Sequence, residues 1–333
     1  VRPVAERRSS TTTILVVLIV AAAVVLVGLV VLAAQLRQDP TALDESPSSS
    51  TATSTTEPGS GATTSTTSST TPPRVDVVDH AVTGGLVQRE YLTVAPLDVQ
   101  PGERLPIVMV LHGLGVDRNA MLNAADWRGA VERDRFLAVF PQGIANSWNM
   151  GPCCPPANLL AVDDMAFLDG VLAEVSARPD ADPSRRYLTG FSNGAVMVYA
   201  VACARSDVYL AVAPMAGSNL TGCRPTRPLS LLHQHSDPDP VVPFDGNPTI
   251  AQLLSSADFP DVTSSVAAWA AADGCASTPK VEELDGGIER SVWQPCSDDT
   301  RVELVRLPGR GHNWPRTEDY DGLTEMLEFF DIS

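Results

Sequence analysis

Six short apolar runs recur along the C-terminal three-quarters of the chain. They are PIVMVLHG (106–113), FLAVFPQG (136–143), RRYLTGF (185–191), YLAVAPMAG (209–217), LSLLHQH (229–235) and VELVRLPG (302–309). Most carry Val, Leu or Ile without strict alternation, which predicts strands buried on both faces of a parallel sheet. Between them the apolar positions take up a helical period. DMAFLDGVLAEVSA (164–177) follows the cap Asp163, and GAVMVYAVACARS begins right after Ser192 and Asn193. VTSSVAAWAAADG follows Asp261 and stops at Gly274, and TEDYDGLTEMLEFF predicts a closing helix despite Gly322. Strands alternating with helices predict an α/β domain whose sheet is covered on both faces.

The N-terminal quarter has a different pattern. Residues 14–35 open with ILVVLIVAAAVVLVGLVVLAA, without a charge. As a helix rising 1.5 Å per residue, the run reaches roughly 32 Å, enough to cross a bilayer core of about 30 Å. Arg2, Arg7 and Arg8 precede it, so residues 1–13 are expected in the cytoplasm and everything after the span outside. A cleaved signal peptide is the alternative and would make the protein secreted, but its apolar core is normally only about 7–15 residues. Residues 36–76 are mostly Ser, Thr and Pro and predict a disordered spacer. Residues 77–333 are left as the folded domain.

Charge narrows the possible partners. The chain carries a net −17, and residues 1–74 balance five Arg against five acids, so the folded part holds all of it. Such a domain repels nucleic acid and anionic lipid. All six cysteines (153, 154, 203, 223, 275 and 296) lie in this outer part, which predicts disulfides. Cys275 and Cys296, close in sequence, make the simplest pair. Cys153 and Cys154 are neighbours and are expected to take separate partners. No zinc-type spacing is present, and neither a metal nor a cofactor is implied.

Candidate chemistry begins at TGFSNGAVM (189–197). Gly-x-Ser-x-Gly arises by chance in roughly one chain in ten of this length, given Gly at about 7% of residues. Here, however, a predicted strand leads in and a predicted helix leads out. That is the sharp strand-to-helix turn a serine nucleophile needs, with Gly190 and Gly194 allowing the close approach. A serine needs a base to take its proton, and in this architecture the acid and then the histidine follow it in the chain. Of the histidines at 80, 112, 233, 235 and 312, only His312, in the loop PGRGHNWP, lies beyond a plausible acid. After LSLLHQH, the segment SDPDPVVPFDG offers Asp237, Asp239 and Asp245; position alone leaves Asp237 and Asp239 open. For the oxyanion the candidates are the backbone N–H groups of Asn193 and of Leu114 in LHGLG, with His112 ordering that loop. A dinucleotide fingerprint starting at Gly113 fails, since Arg118 stands where its third glycine belongs.

LHGLG, WNMGPCCPPA…VDDMAFL, GFSNG, HSDPDPVVPF and GRGHNWP stand in one order over residues 85–330. In this the chain resembles the polyhydroxybutyrate depolymerase and feruloyl esterase-like family of α/β-hydrolase serine esterases. The resemblance implies an α/β-hydrolase fold and places the acid at Asp239, giving Ser192, Asp239 and His312. It also implies the Cys275–Cys296 pairing and substrate contacts at Trp148 and Trp314. The expected function is a monomeric, membrane-tethered esterase outside the cell, acting on small or oligomeric carboxylic esters through an acyl-enzyme. A cell-envelope acyltransferase with the same triad, and a non-catalytic wall-anchored binding protein, are the alternatives.

Overall fold

A computed structural model describes residues 72–84, 87–151, 153–246, 258–317 and 319–333. The expected membrane span and the expected spacer up to residue 71 lie outside these residues, while the spacer's last two residues, Val75 and Asp76, open the first strand instead. Among the described residues no helix is long and apolar enough to cross a membrane.

The core is one ten-stranded sheet in the order β1-β2-β4-β3-β5-β6-β7-β10-β9-β8. Its centre is formed by β3 (Leu105–Leu111), β4 (Leu137–Pro141), β5 (Ala181–Phe191), β6 (Ala211–Met215), β7 (Ser230–Asp237) and β10 (Val302–Pro308). These are the six apolar runs, and every pairing among them is parallel. Antiparallel strands extend both sides: β1 (Val75–Gly84) and β2 (Val87–Pro96) at one, β9 (Ile288–Trp293) and β8 (Lys280–Leu284) at the other. Apolar-run reading does not find these four. VDVVDHAVTG and KVEEL are edge strands whose polar residues face water, so they lack a continuous apolar run.

Alternation along each central strand divides the core in two. Ile107, Met109 and Leu111 pack on one face with α3 (Asp164–Ser176), α4 (Asn193–Ala204) and α5 (Val262–Ala272). Val108 and Val110 pack on the other with α1 (Arg118–Asn123), α2 (Trp127–Asp134) and α6 (Gly322–Phe329). Asp163 and Asp261 cap α3 and α5 as expected, accepting from Ala166 N–H and Ser264 N–H. The closing helix is shorter than expected: Asp321 accepts from the N–H groups of Leu323 and Thr324, so α6 starts at Gly322. Helix α4 is buried almost all round, from Asn193 to Tyr199. Each fully buried valine there contributes on the order of 1.5–3 kcal/mol, which fixes the helix firmly behind the turn that precedes it.

The disulfides are Cys153–Cys154, Cys203–Cys223 and Cys275–Cys296. Separate partners for Cys153 and Cys154 were expected, and the two are instead bonded to each other. The remaining cysteines are taken up elsewhere: Cys203 on α4 reaches the loop after β6, and Cys275 after α5 reaches the end of β9.

Candidate active site

Parallel strands end on the same edge of a sheet, so the loops leaving β3, β5, β7 and β10 are brought together there. Those loops carry Leu114, Ser192, Asp239 and His312.

Ser192 links β5 to α4 at φ 55° and ψ −119°, a conformation that costs a side-chain-bearing residue on the order of 1–3 kcal/mol. Its N–H is held by the Met215 carbonyl at 2.9 Å. Although Ser192 occupies the N-cap position of α4, its hydroxyl makes no capping bond. The hydroxyl instead lies 2.8 Å from His312 Nε2. Gly190 and Gly194 make the turn possible: a Cβ on Gly190 would sit 2.7 Å from the carbonyl carbon of Gly194.

His312 Nδ1 donates to Asp239 Oδ2 at 2.7 Å. Asp239 Oδ1 accepts from the N–H groups of Val241 and Val242 at 2.7 and 2.9 Å. Burial pushes the Asp239 carboxyl up, but the bonds from His235 and His312 outweigh it and hold the group well below the usual carboxylate range. Asp237, the other acid left open by position, is paired with Arg306 instead. The serine, imidazole and carboxylate therefore form one hydrogen-bonded line, with the imidazole tautomer set by the acid.

The LHGLG loop after β3 adjoins Ser192. A Cβ on Gly113 would lie 3.4 Å from Ser192 Cβ, so Leu114 follows at the edge of the turn, and its side chain is exposed. Asn193 opens α4, where N–H groups are free of helical partners and the helix dipole is positive. His112 is fully buried and ties the loop down. Its Nε2 accepts from Gly143 N–H at 2.8 Å, so Nδ1 carries the proton and donates to the Gly113 carbonyl at 2.9 Å. Burial lowers its pKa to about 4, keeping the ring neutral.

Trp148 and Trp314, both expected at the substrate, differ. Trp148 is 0% exposed and cannot touch a substrate in this arrangement. Its indole N–H donates to the His112 carbonyl at 2.8 Å, and its backbone N–H donates to Asn193 Oδ1 at 2.8 Å. It braces the serine turn against the LHGLG loop. Trp314 is half-buried, 6.4 Å from the Phe191 ring, which in turn lies 4.9 Å from the His312 ring. One supporting pair was not anticipated. Arg89 on β2 and Asp164 on α3 are buried and 2.7 Å apart, and Asp164 Oδ2 also accepts from Asn149 N–H beside Trp148. A charged residue inside the strand run VQREYLTVAP was its one sequence signal. Among the described residues no cluster suited to a metal ion is present.

No protein-family model matches the chain. Over 234 residues, 65% of this chain, it is 30% identical to a probable feruloyl esterase C of Aspergillus terreus and covers 83% of that protein. It is 25% identical over 234 residues to feruloyl esterase B of Piromyces equi, of which it spans only 42%. The solved acetyl xylan esterase of Aspergillus awamori superposes with a TM-score of 0.56 at 14% identity, over 77% of this chain and 100% of that one. That likeness establishes the α/β-hydrolase fold. Sequence and fold together place this chain in the feruloyl esterase and acetyl xylan esterase family of α/β-hydrolase esterases.

Proposed function

We propose that the chain is a serine esterase hydrolysing carboxylic esters of feruloyl or acetyl type, with Ser192, His312 and Asp239 as its triad. The observation that carries the reading is the unbroken line from Ser192 Oγ through His312 to Asp239, at 2.8 and 2.7 Å, on a strained turn. Ser192 Oγ attacks the ester carbonyl carbon while its proton passes to His312 Nε2. The carbonyl oxygen takes up the negative charge and is held by the N–H groups of Asn193 and Leu114. The bond to the leaving oxygen breaks as His312 returns the proton, releasing an alcohol and leaving an acyl-serine. Water, deprotonated by the same nitrogen, then cleaves the acyl-serine to the acid and free Ser192. Asp239 keeps the Nδ1–H tautomer and stabilises the imidazolium formed in each half-reaction. Phe191 beside His312, with Trp314 on from it, suits an aromatic acyl group.

The enzyme works outside the cell, tethered through residues 14–35. The long uncharged run behind three arginines and the three disulfides of the folded part support this location. The test is fluorophosphonate labelling and p-nitrophenyl ester hydrolysis by the full chain and by Ser192→Ala. Both signals should vanish in the variant. A folded wild-type protein that neither labels nor turns over would refute the esterase reading. Feruloyl and acetyl sugar esters then separate the two substrate types.

A further inference from the structure

Behind the triad acid runs a second line of polar side chains that the proposed chemistry does not use. His235 Nε2 lies 2.9 Å from the Val242 carbonyl and 3.5 Å from Asp239 Oδ2. On the far side of the ring, His235 Nδ1 meets His233 Nε2 at 3.0 Å. His233 Nδ1 meets the Tyr199 hydroxyl at 2.7 Å. The three side chains are buried, and the two imidazoles stack at 15°. The placement follows from period: His233 and His235 are two apart on β7 and share a face, and Tyr199 reaches them from α4 on that face.

The polarity of this line follows from its end. A carbonyl oxygen only accepts, so His235 Nε2 carries a hydrogen. With one hydrogen on each ring, His235 Nδ1 accepts and His233 Nε2 donates to it. His233 Nδ1 is then an acceptor, and the tyrosine hydroxyl donates to it. Burial drives His233 well below its ordinary pKa, in keeping with a neutral ring. The donors therefore all run one way, from Tyr199 to the Val242 carbonyl, with Asp239 Oδ2 lying 3.5 Å from the last of them. Stability is a poor account of such a line, because apolar side chains of similar volume would fill a buried space at least as well.

We infer that His235 is a positioning residue: its Nε2–H, directed from behind by His233 and Tyr199, bonds the Val242 carbonyl and lies 3.5 Å from Asp239 Oδ2, and so keeps the ionised Asp239 aimed at His312. Oδ1 is already fixed by the Val241 and Val242 N–H groups. Oδ2 serves His312 and faces His235, so losing the second donor leaves that oxygen free to swing. The inference rests on the esterase reading and adds the residues that hold its acid.

The test uses the full chain with His235→Leu, His235→Gln and Tyr199→Phe, with circular dichroism and thermal midpoints reporting folding. The readouts are kcat and KM on p-nitrophenyl acetate, and the low-field proton resonance of His312 Nδ1–H. A bond to a charged group is worth about tenfold or more in an equilibrium, and the 3.5 Å separation places this one at the lower end. His235→Leu should therefore lower kcat about tenfold with KM within about twofold, and shift the low-field resonance. His235→Gln keeps an N–H near the Nε2 position and should recover most of kcat. Tyr199→Phe should cost a smaller factor, since it loosens only the orientation of His233. Unchanged kcat in folded His235→Leu overturns the inference. So does His235→Gln falling as far as His235→Leu, which would make the ring mere packing. If His235→Leu does not fold, His235→Gln and Tyr199→Phe decide, and kcat reduced in Tyr199→Phe with KM unchanged supports the inference. If wild type hydrolyses no ester, the esterase reading fails and the resonance decides alone: unmoved by His235→Leu or Tyr199→Phe, it overturns the positioning role.

Discussion

Gly194→Ala tests whether the close approach of helix α4 to strand β3 sets the reactive geometry. Gly194 lies in the first turn of α4, where alanine would favour the helix by about 1 kcal/mol on propensity alone. Space decides the other way. The new Cβ would meet the Leu111 carbonyl oxygen in hard contact and stand 2.6 Å from the His112 carbonyl oxygen. Ordinary contact begins at 3.4 Å, so the helix start or the loop after β3 must give way by about 0.8 Å at His112 and by more at Leu111. Both neighbours are backbone, and the loop is pinned by His112 and Trp148, so neither relaxes cheaply. Overpacking of this kind costs about 1–3 kcal/mol and outweighs the propensity gain. A displacement near 1 Å at reacting groups costs about a hundredfold in rate. Gly194→Ala should therefore lower kcat/KM on p-nitrophenyl esters some tens-fold to about a hundredfold while remaining folded. Gly170→Ala, in mid-α3 with only Val82 within 4 Å at 3.9 Å, should raise the thermal midpoint slightly and leave the rate alone. A Gly194→Ala enzyme within twofold of wild type would refute the reasoning.

Further expectations concern buried charges and crosslinks. Burial raises the Asp273 carboxyl from its ordinary 3.8 to about 7, against the opposing Leu229 N–H bond. The folded state holds the proton more tightly, so this group's contribution is fully present below about pH 4 and lost as pH rises to about 7. The loss is on the order of 4 kcal/mol, so Asp273→Asn should raise the thermal midpoint at pH 8 far more than at pH 4; an equal effect at both counts against it. Arg89→Ala leaves the buried Asp164 without its guanidinium and should cost about 3–5 kcal/mol in urea unfolding. Arg89→Met with Asp164→Leu should cost less than that single change, and a larger loss would show the pair is net stabilising. Replacing Cys275 and Cys296 by Ser should lower stability by about 3 kcal/mol, read from the denaturation midpoint, without changing kcat.

Local signals made much of this protein readable from its sequence. Buried strands announce themselves by continuous apolar runs, helix starts by Asp163 and Asp261, and the serine turn by its two glycines. Each is a property of a few adjacent residues, and the chain order of serine, acid and histidine is read directly along the sequence. Partner choice is different, because it depends on which loops the sheet register brings together over long separations. His312 meets Ser192 across 120 residues and Asp239 across 73. Two residues apart, Asp237 at the end of β7 turns to Arg306 and Asp239 in the loop after it turns to His312, a divergence that spacing alone leaves open. Trp148 looked like a substrate contact, and only packing showed it sealed beneath the LHGLG loop. Cys153 and Cys154 gave no sign of bonding to each other, and the edge strands hid behind their water-facing residues. The line from Tyr199 to Asp239 spans a helix, a strand and a loop. No stretch of sequence contains it, since its donors and acceptors line up only once α4 has packed across β7.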